Sequence, residues 1–392
     1  MPFRILSLDG GGIRGVIAAK MLAAIEKRID QPLNEYFNLI AGTSTGAILA
    51  TAIAIGRSSE EIVELYKQKS SAIFPYRSRF SLARIPLILQ YGLSAPKFSD
   101  DGLIQVLKQA FGKTRLFDVL SPLLLILSYD TITRKPIIFK SWRQDKDYEN
   151  VPLWEACVCS ASAPTYFPAH KLDKKVNGIV QNASAYTVKL DENASKVDDV
   201  YNNTNIFITR GTGGGQARTL VKYEGFTRIA KINQPWDVIP DNTSTYLINF
   251  LYSAIDGGVA ANNPSASAVA EALRLGYAIE DITVLSIGTG DRTRIIPYKQ
   301  ARESGLIEWA QPLIGVLFDA SSDVYEYIAN QIMHNRLLRL QFKLDRQLTG
   351  QRLSDDIDDA TQENINNLIE AAEVYINQQQ VQKKLQEFLQ MS

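Results

Sequence analysis

Three glycine-framed polar residues carry the chemistry open to this chain. In Gly42-Thr43-Ser44-Thr45-Gly46 a serine sits among small residues, behind the apolar segment 37–41 and ahead of the apolar run 47–55. A strand that turns this sharply into a helix leaves no room for bulky neighbours. It lifts the serine hydroxyl out of the turn and aims a positive helix N-terminus at developing negative charge. Asp9-Gly10-Gly11-Gly12-Ile13-Arg14-Gly15 follows another apolar segment and offers successive backbone N–H groups to an oxyanion. Far downstream, Asp256-Gly257-Gly258 ends a third segment with a carboxylate, and its glycines let the backbone turn away. A nucleophile, an oxyanion loop and a carboxylate base predict a serine hydrolase.

Each motif also has a plainer reading. Ser44 could merely cap the helix that follows it. Gly10-x-Gly12-x-x-Gly15 fits a dinucleotide-binding loop, but that fold needs an acidic residue ending a second strand about twenty positions on. Asp30 stands near that distance at the end of a helical segment, before Gln31-Pro32-Leu33, so dinucleotide binding is not expected. The loop is read instead as turning the Gly11 and Gly12 amides toward the carbonyl oxygen that Ser44 attacks. A conventional triad would have to draw on His170 or His334, the two histidines of the chain. The segment around His334 has a mid-helix pattern, and His170 precedes Asp256, so neither is read as the base. A carboxylate near its ordinary pKa of about 3.9 is a poor base. Burial against Ser44, away from cations, would raise that value, and a Ser44–Asp256 dyad is the expectation. Arg14 is open between a clamp on the glycine loop and a contact to an anionic substrate group.

Strands and helices must alternate to position these residues. Segment 5–8 reads as a strand, and 15–29 as a helix with Val16, Leu22, Ile25 and Ile29 on one face. Segment 37–41 is the next strand, and 47–55 is apolar throughout, as in a helix buried in the core. Ser58 and Glu61 form a capping-box pattern for a helix over 59–69. Segments 123–129 and 137–140 read as paired strands, 265–275 and 361–375 as helices, and 282–287 as a strand. Residues 174–245 break the pattern with short polar strands at 185–190, 205–208 and 227–230, and with Gly211-Thr212-Gly213-Gly214-Gly215 as a hairpin turn. The predicted fold is α/β, a central mostly parallel sheet sandwiched by helices. It is expected in two parts, 1–173 and 246–392, separated by an inserted β-rich module, 174–245. That module is a candidate for protein contact or oligomerisation.

The 392 residues suffice for a large core, and 42 basic against 42 acidic side chains leave no excess for phosphate backbones, so nucleic acid is not an expected partner. Cys157 and Cys159 fit neither a disulfide framework nor a zinc site and read as buried thiols. No segment is long enough to span a bilayer, and the chain opens without a signal-peptide pattern. A cytoplasmic, peripherally membrane-associated protein is expected.

The motif set resembles that of the patatin-like phospholipases. D-G-G-G-x-R-G, G-T-S-T-G and D-G-G occur in that family's order. Ala161-Ser162-Ala163-Pro164-Thr165-Tyr166-Phe167-Pro168, Asn262-Asn263-Pro264 and Ser286-Ile287-Gly288-Thr289-Gly290 reinforce them. The likeness covers 1–173 and 246–392. It implies a lipid acyl hydrolase of phospholipase A or galactolipase type, cleaving fatty acyl esters of membrane glycerolipids without metal or cofactor. Carried onto this chain, it assigns the nucleophile to Ser44, the base to Asp256 and the oxyanion hole to Gly10, Gly11 and Gly12. Arg14, Gly15, Gly42, Gly46, Gly257 and Gly258 are supporting motif positions. Water activated by Asp256 would release the fatty acid from an acyl-enzyme. A lipid alcohol in its place would make an acyltransferase, and gating by a partner or ligand would make a regulated membrane-degrading effector.

Two further segments bear on the substrate. From Leu65 to Ser99 there is no acidic residue, while Lys67, Lys69, Arg77, Arg79, Arg84 and Lys97 alternate with apolar residues that include Phe80 and Leu87. That mixture suits an anionic membrane surface, and Pro75 and Pro86 forbid one long helix, so 72–93 is expected to contact the membrane as a flap. Asp355-Asp356-Ile357-Asp358-Asp359 lacks the glycine and ligand spacing of a calcium loop, and is expected to be solvated and to cap a helix.

Overall fold

The structure, a computed structural model, describes residues 2–143, 151–309 and 312–391. Its strands are β1 (Phe3–Leu8), β2 (Leu39–Thr43), β3 (Leu123–Asp130), β4 (Lys135–Lys140), β5 (His170–Ile179), β6 (Asn182–Ser184), β7 (Thr187–Lys189), β8 (Asn205–Arg210), β9 (Ala217–Glu224), β10 (Ile229–Ile232), β11 (Thr245–Asp256), β12 (Ile282–Ile287) and β13 (Leu337–Leu340). The order β13-β12-β1-β2-β3 is parallel throughout. Strands buried at every position, such as Ile282–Ile287, belong in such a sheet because both of its faces are covered.

Alternation along each strand divides the core. Leu6 and Leu8, Ile40, and Leu124 and Ile126 face the helices Gly15–Ile29, Thr45–Ala54, Leu153–Ala161 and Gln362–Ile376. Ile5, Leu39 and Ala41, and Leu125 and Leu127 face the helices Ser265–Arg274 and Pro312–Met333. The α/β sandwich expected from the sequence is therefore present. The helix Thr45–Ala54 is buried at every position, which accounts for its lack of a polar face.

One topological feature positions the site. Residues 125–130 of β3 pair with β4 along one edge, so its remaining partners share the other edge. There β2 runs parallel and ends with Thr43 opposite Leu127, whereas β11 runs antiparallel and ends with Asp256 opposite Ser128. Two strands from opposite directions thus finish end to end on adjacent residues of β3. Ser44 and Asp256, 212 positions apart in sequence, meet there.

β11 also leads away from this sheet. It pairs with β5 from Ala254↔His170 to Thr245↔Ile179, crossing 173–174 and 245–246 without a break. Its N-terminal half pairs with β8, and β9, β10, β7 and β6 follow. A second core, with Tyr201, Tyr223, Tyr246, Trp236, Ile206 and Leu220 at its centre, fills this region.

Several boundaries differ from the sequence reading. The strand expected at 37–41 is shifted to Leu39–Thr43, because Phe37 closes the short helix Leu33–Tyr36. The strand expected at 227–230 begins at Ile229, since Arg228 takes a left-handed turn conformation (φ 55°). β5 and β9 were not expected. β5 carries a charged run, and charged residues are what an exposed sheet edge carries to resist further pairing. Of the expected capping box, only the half in which Ser58 Oγ accepts the Glu61 amide is made.

Candidate active site

Ser44 stands at φ 56°, ψ −123°, a left-handed conformation that a non-glycine residue holds only when its surroundings enforce it. They do so from both sides of the turn. A Cβ on Gly42 would lie 2.2 Å from the Gly46 carbonyl oxygen, and one on Gly46 would lie 2.1 Å from that of Leu8. The Ser44 amide donates to Ser160 Oγ (2.8 Å), whose own hydroxyl donates to the Leu127 carbonyl (2.5 Å). Although Ser44 precedes the helix Thr45–Ala54, its side chain makes no capping bond. Its hydroxyl donates instead to Asp256 Oδ2 at 2.6 Å, with both residues buried.

Asp256 is held by its backbone, its amide donating to the Ser162 carbonyl (3.0 Å) and that of Gly257 to the Ser160 carbonyl (3.1 Å). The Gly258 amide donates to Oδ1 (2.8 Å). Burial pushes this carboxyl up to about 7, against smaller downward pulls from the Ser44 and Gly258 hydrogen bonds. A carboxylate of that affinity can exchange a proton with a serine hydroxyl near neutral pH.

The glycine loop is packed between the two motifs. The Gly10 amide donates to the Asn262 carbonyl (3.1 Å), and its own carbonyl accepts from Thr289 Oγ1 (2.8 Å). Gly10 therefore has no amide to offer an oxyanion, which narrows the expected set of three. Among the described residues, the Gly11 and Gly12 amides have no acceptor. A Cβ on Gly11 would meet Thr289 Oγ1 at 2.2 Å, and one on Gly12 would meet the Ile357 carbonyl oxygen at 2.1 Å. Gly15 is pressed against Thr45 and Tyr66, Gly257 against the Leu127 carbonyl, and Gly258 against Asn262 and Phe318.

Arg14 is a clamp. It is buried, and donates from Nη1 to the Gly290 carbonyl (3.0 Å) and from Nε to that of Gly11 (3.5 Å). Burial, and next the Arg292 charge, lower it to about 10. Neither histidine reaches Ser44. His170 opens β5 beside Glu155 (3.4 Å) and Asp100 (3.9 Å). His334 follows the end of the helix Pro312–Met333 at φ 51°, so its expected mid-helix position was mistaken.

A narrow apolar pocket leads from Ser44 and Gly12 between the helices Ser59–Ile73 and Asp101–Phe111, lined by Ile48, Tyr66, Phe74, Leu107 and Phe167. Its volume of about 60 Å³ admits only a few waters. The acidic run borders it and is not solvated as expected. Asp355, Asp358 and Asp359 are buried. Asp358 pairs with Lys97, Asp359 with Arg77 (3.0 Å), and Asp356 with Arg294 (3.1 Å). The Ile357 carbonyl accepts from Ile13 (2.8 Å), so the strap seals one side of the glycine loop, while Thr361 supplies the helix cap. Sequence reasoning missed the strap and Ser160, because their roles depend on contacts that no local pattern marks. Among the described residues, no cluster of His, Cys, Asp or Glu could hold a metal ion, and no helix is long and apolar enough to cross a membrane.

The segment 72–93 is exposed in an irregular way. Phe80 is 96% and Leu89 82% exposed, and Leu82 and Leu93 are also exposed. Leu87 packs inward, and Arg84 is buried, donating to the Ala95 and Pro96 carbonyls, so neither belongs to an outward face.

A family model described as patatin-like phospholipase matches residues 6–189. Patatin-like protein 2 of Oryza sativa subsp. indica is 26% identical over an alignment of 415 positions, covering 95% of this chain and 83% of that protein. The cGAMP-activated phospholipase of Vibrio cholerae serotype O1 is 32% identical over 186 positions, covering 43% of this chain and 50% of that protein. The solved structure of human GIVD cytosolic phospholipase A2 aligns with 100% of this chain and 63% of its own at 11% identity, with a TM-score of 0.40.

Proposed function

Since the chain belongs to the patatin-like phospholipase family and is on that ground a lipid hydrolase, we propose that it cleaves fatty acyl esters of membrane glycerolipids through a Ser44–Asp256 dyad. The observation that carries this reading is the buried 2.6 Å hydrogen bond from Ser44 Oγ to Asp256 Oδ2. Ser44 Oγ attacks the acyl carbonyl carbon as its proton passes to Asp256. The oxyanion takes the Gly11 and Gly12 amides, and the N-terminus of the helix Thr45–Ala54 adds a favourable field. Collapse of the tetrahedral intermediate expels the lipid alcohol, which takes the proton from Asp256 and leaves an acyl-enzyme. Water, deprotonated by Asp256, then releases the fatty acid and restores the serine.

Fatty-acid release from mixed phospholipid and galactolipid vesicles tests the reading. Wild type should release acid, and Ser44→Ala and Asp256→Asn should not. Full release by Ser44→Ala would sink it. The exposed flap is the proposed membrane contact, and Phe80→Asp with Leu89→Asp should lower vesicle binding about tenfold.

A second reading, a gated enzyme, is favoured by the narrowness of the pocket, which an acyl chain could enter only after its walls move. One relative is named for activation by cGAMP. Fluorophosphonate labelling of Ser44 without lipid turnover would mark a competent but closed site.

A further inference from the structure

The mouth of the pocket has a second exposed apolar border. Residues 292–302, Arg-Thr-Arg-Ile-Ile-Pro-Tyr-Lys-Gln-Ala-Arg, hold four cations and no acid. Ile295 is 80% and Tyr298 77% exposed, and Leu313 and Leu317 continue the exposed apolar surface onto the helix Pro312–Met333. Two of the cations are engaged, Arg292 with Asp319 (3.6 Å) and Arg294 with Asp356 (3.1 Å). Lys299 and Arg302 are exposed and, among the described residues, have no carboxylate partner.

This border adjoins the Ser44 pocket through shared lining residues. Tyr166 and Ile357 line the Ser44 pocket on one side, and on the other a cavity of about 390 Å³ that Arg294, Ile295 and Val316 also line. The acidic strap ties the two borders together, with Asp356 on Arg294 and Asp358 and Asp359 on Lys97 and Arg77. Asp356, Asp358 and Asp359 are thereby each paired with a cation, while Lys299 and Arg302 stay exposed with no carboxylate partner among the described residues. Glu303, Glu308, Asp319 and Asp323 bound the patch, and Glu308 is turned back to accept the Gly305 amide (2.9 Å).

We propose that residues 292–302 form a second membrane-docking element, which with the flap seats the mouth on an anionic phospholipid surface. Exposed Ile and Tyr side chains partition into the headgroup region, and the unpaired cations favour anionic over zwitterionic lipid. The inference rests on the lipid-hydrolase reading for its choice of surface, but it is tested without turnover.

In a Ser44→Ala background, Ile295→Cys is labelled with an environment-sensitive fluorophore. Cys157 and Cys159 are buried, so the label is directed to the surface. Equimolar phosphatidylglycerol–phosphatidylcholine vesicles should shift its emission to the blue, and pure phosphatidylcholine vesicles should do so far less. Ile295→Asp with Tyr298→Asp, and separately Lys299→Gln with Arg302→Gln, should each weaken sedimentation with the anionic vesicles about tenfold at an unchanged melting midpoint. The lysine and arginine pair touches no core, so it decides the matter if the apolar pair fails to fold. An unshifted label with bound protein, or unchanged sedimentation of the glutamine variant, overturns the proposal, as does an absence of vesicle binding. A shifted label with no fatty-acid release by wild type would instead count against the hydrolase reading and leave docking intact.

Discussion

The two ends of β11 each hold a buried carboxylate, and the two groups do different work. At the N-terminal end, Asp191 meets the strand through the Tyr246 hydroxyl (3.2 Å) and also accepts the amides of Ile179 (2.8 Å) and Asn193 (3.1 Å). Its oxygens accept from donors that tie a loop to the second core, a structural use. At the C-terminal end, Asp256 accepts one amide and one serine hydroxyl, and burial holds its proton up to about 7. A buried carboxylate that only accepts structural hydrogen bonds fixes a fold, whereas Asp256, buried against a serine hydroxyl, keeps an affinity for protons that chemistry can use. We propose that the same division separates the module 174–245, packed around the second core that Tyr246 and Ile248 of β11 complete, from the α/β part that carries the reaction.

The contrast breaks most sharply by substitution. Asp256→Asn should lower ester hydrolysis by about 10³–10⁴-fold. Asp191→Asn should leave turnover at the wild-type level and lower stability by about 1–3 kcal/mol. Equal losses of activity at both positions would erase the distinction. Gly11→Ala should cost about 10²–10³-fold in kcat, because its Cβ would drive the loop off Thr289 and misalign the oxyanion donors.

The pH profile sharpens the comparison further. The base must be ionised, so kcat/KM should rise about tenfold per pH unit and level off above about 7. Stability runs the other way. The folded Asp256 keeps its proton up to about 7, against 3.8 for an ordinary aspartate, so its contribution favours the fold fully below pH 3.8 and is lost as pH rises through 7. Asp256→Asn should therefore melt higher than wild type at pH 8 while remaining inactive. A lower midpoint there would contradict the assigned burial cost.

The smallest expected effect on activity comes from the second core. Ile206→Ala should destabilise it by about 2–5 kcal/mol and shift one of two calorimetric transitions, with fluorophosphonate labelling of Ser44 retained. A single transition moving as a whole would mean that the module is no separate unit.

Local sequence determined the elbow, the glycine loop and the carboxylate-bearing strand end. Each rests on steric demands that only certain residues meet: small neighbours at Gly42 and Gly46, free amides at Gly11 and Gly12, and a tight turn at Gly257. The alternating apolar segments likewise fixed an α/β sandwich. The loop's residues pointed to the Gly11 and Gly12 amides, but the family pattern added Gly10, whose engagement by Asn262 comes from 252 positions away. Local patterns could not bury Leu87 and Arg84 amid an otherwise exposed flap, or turn the acidic strap inward onto Lys97 and Arg77. Those outcomes depend on which distant groups arrive alongside. The same holds for the site itself: composition supplies a serine and an aspartate, but only the meeting of β2 and β11 on one edge of β3 puts them 2.6 Å apart in a place dry enough to raise a pKa.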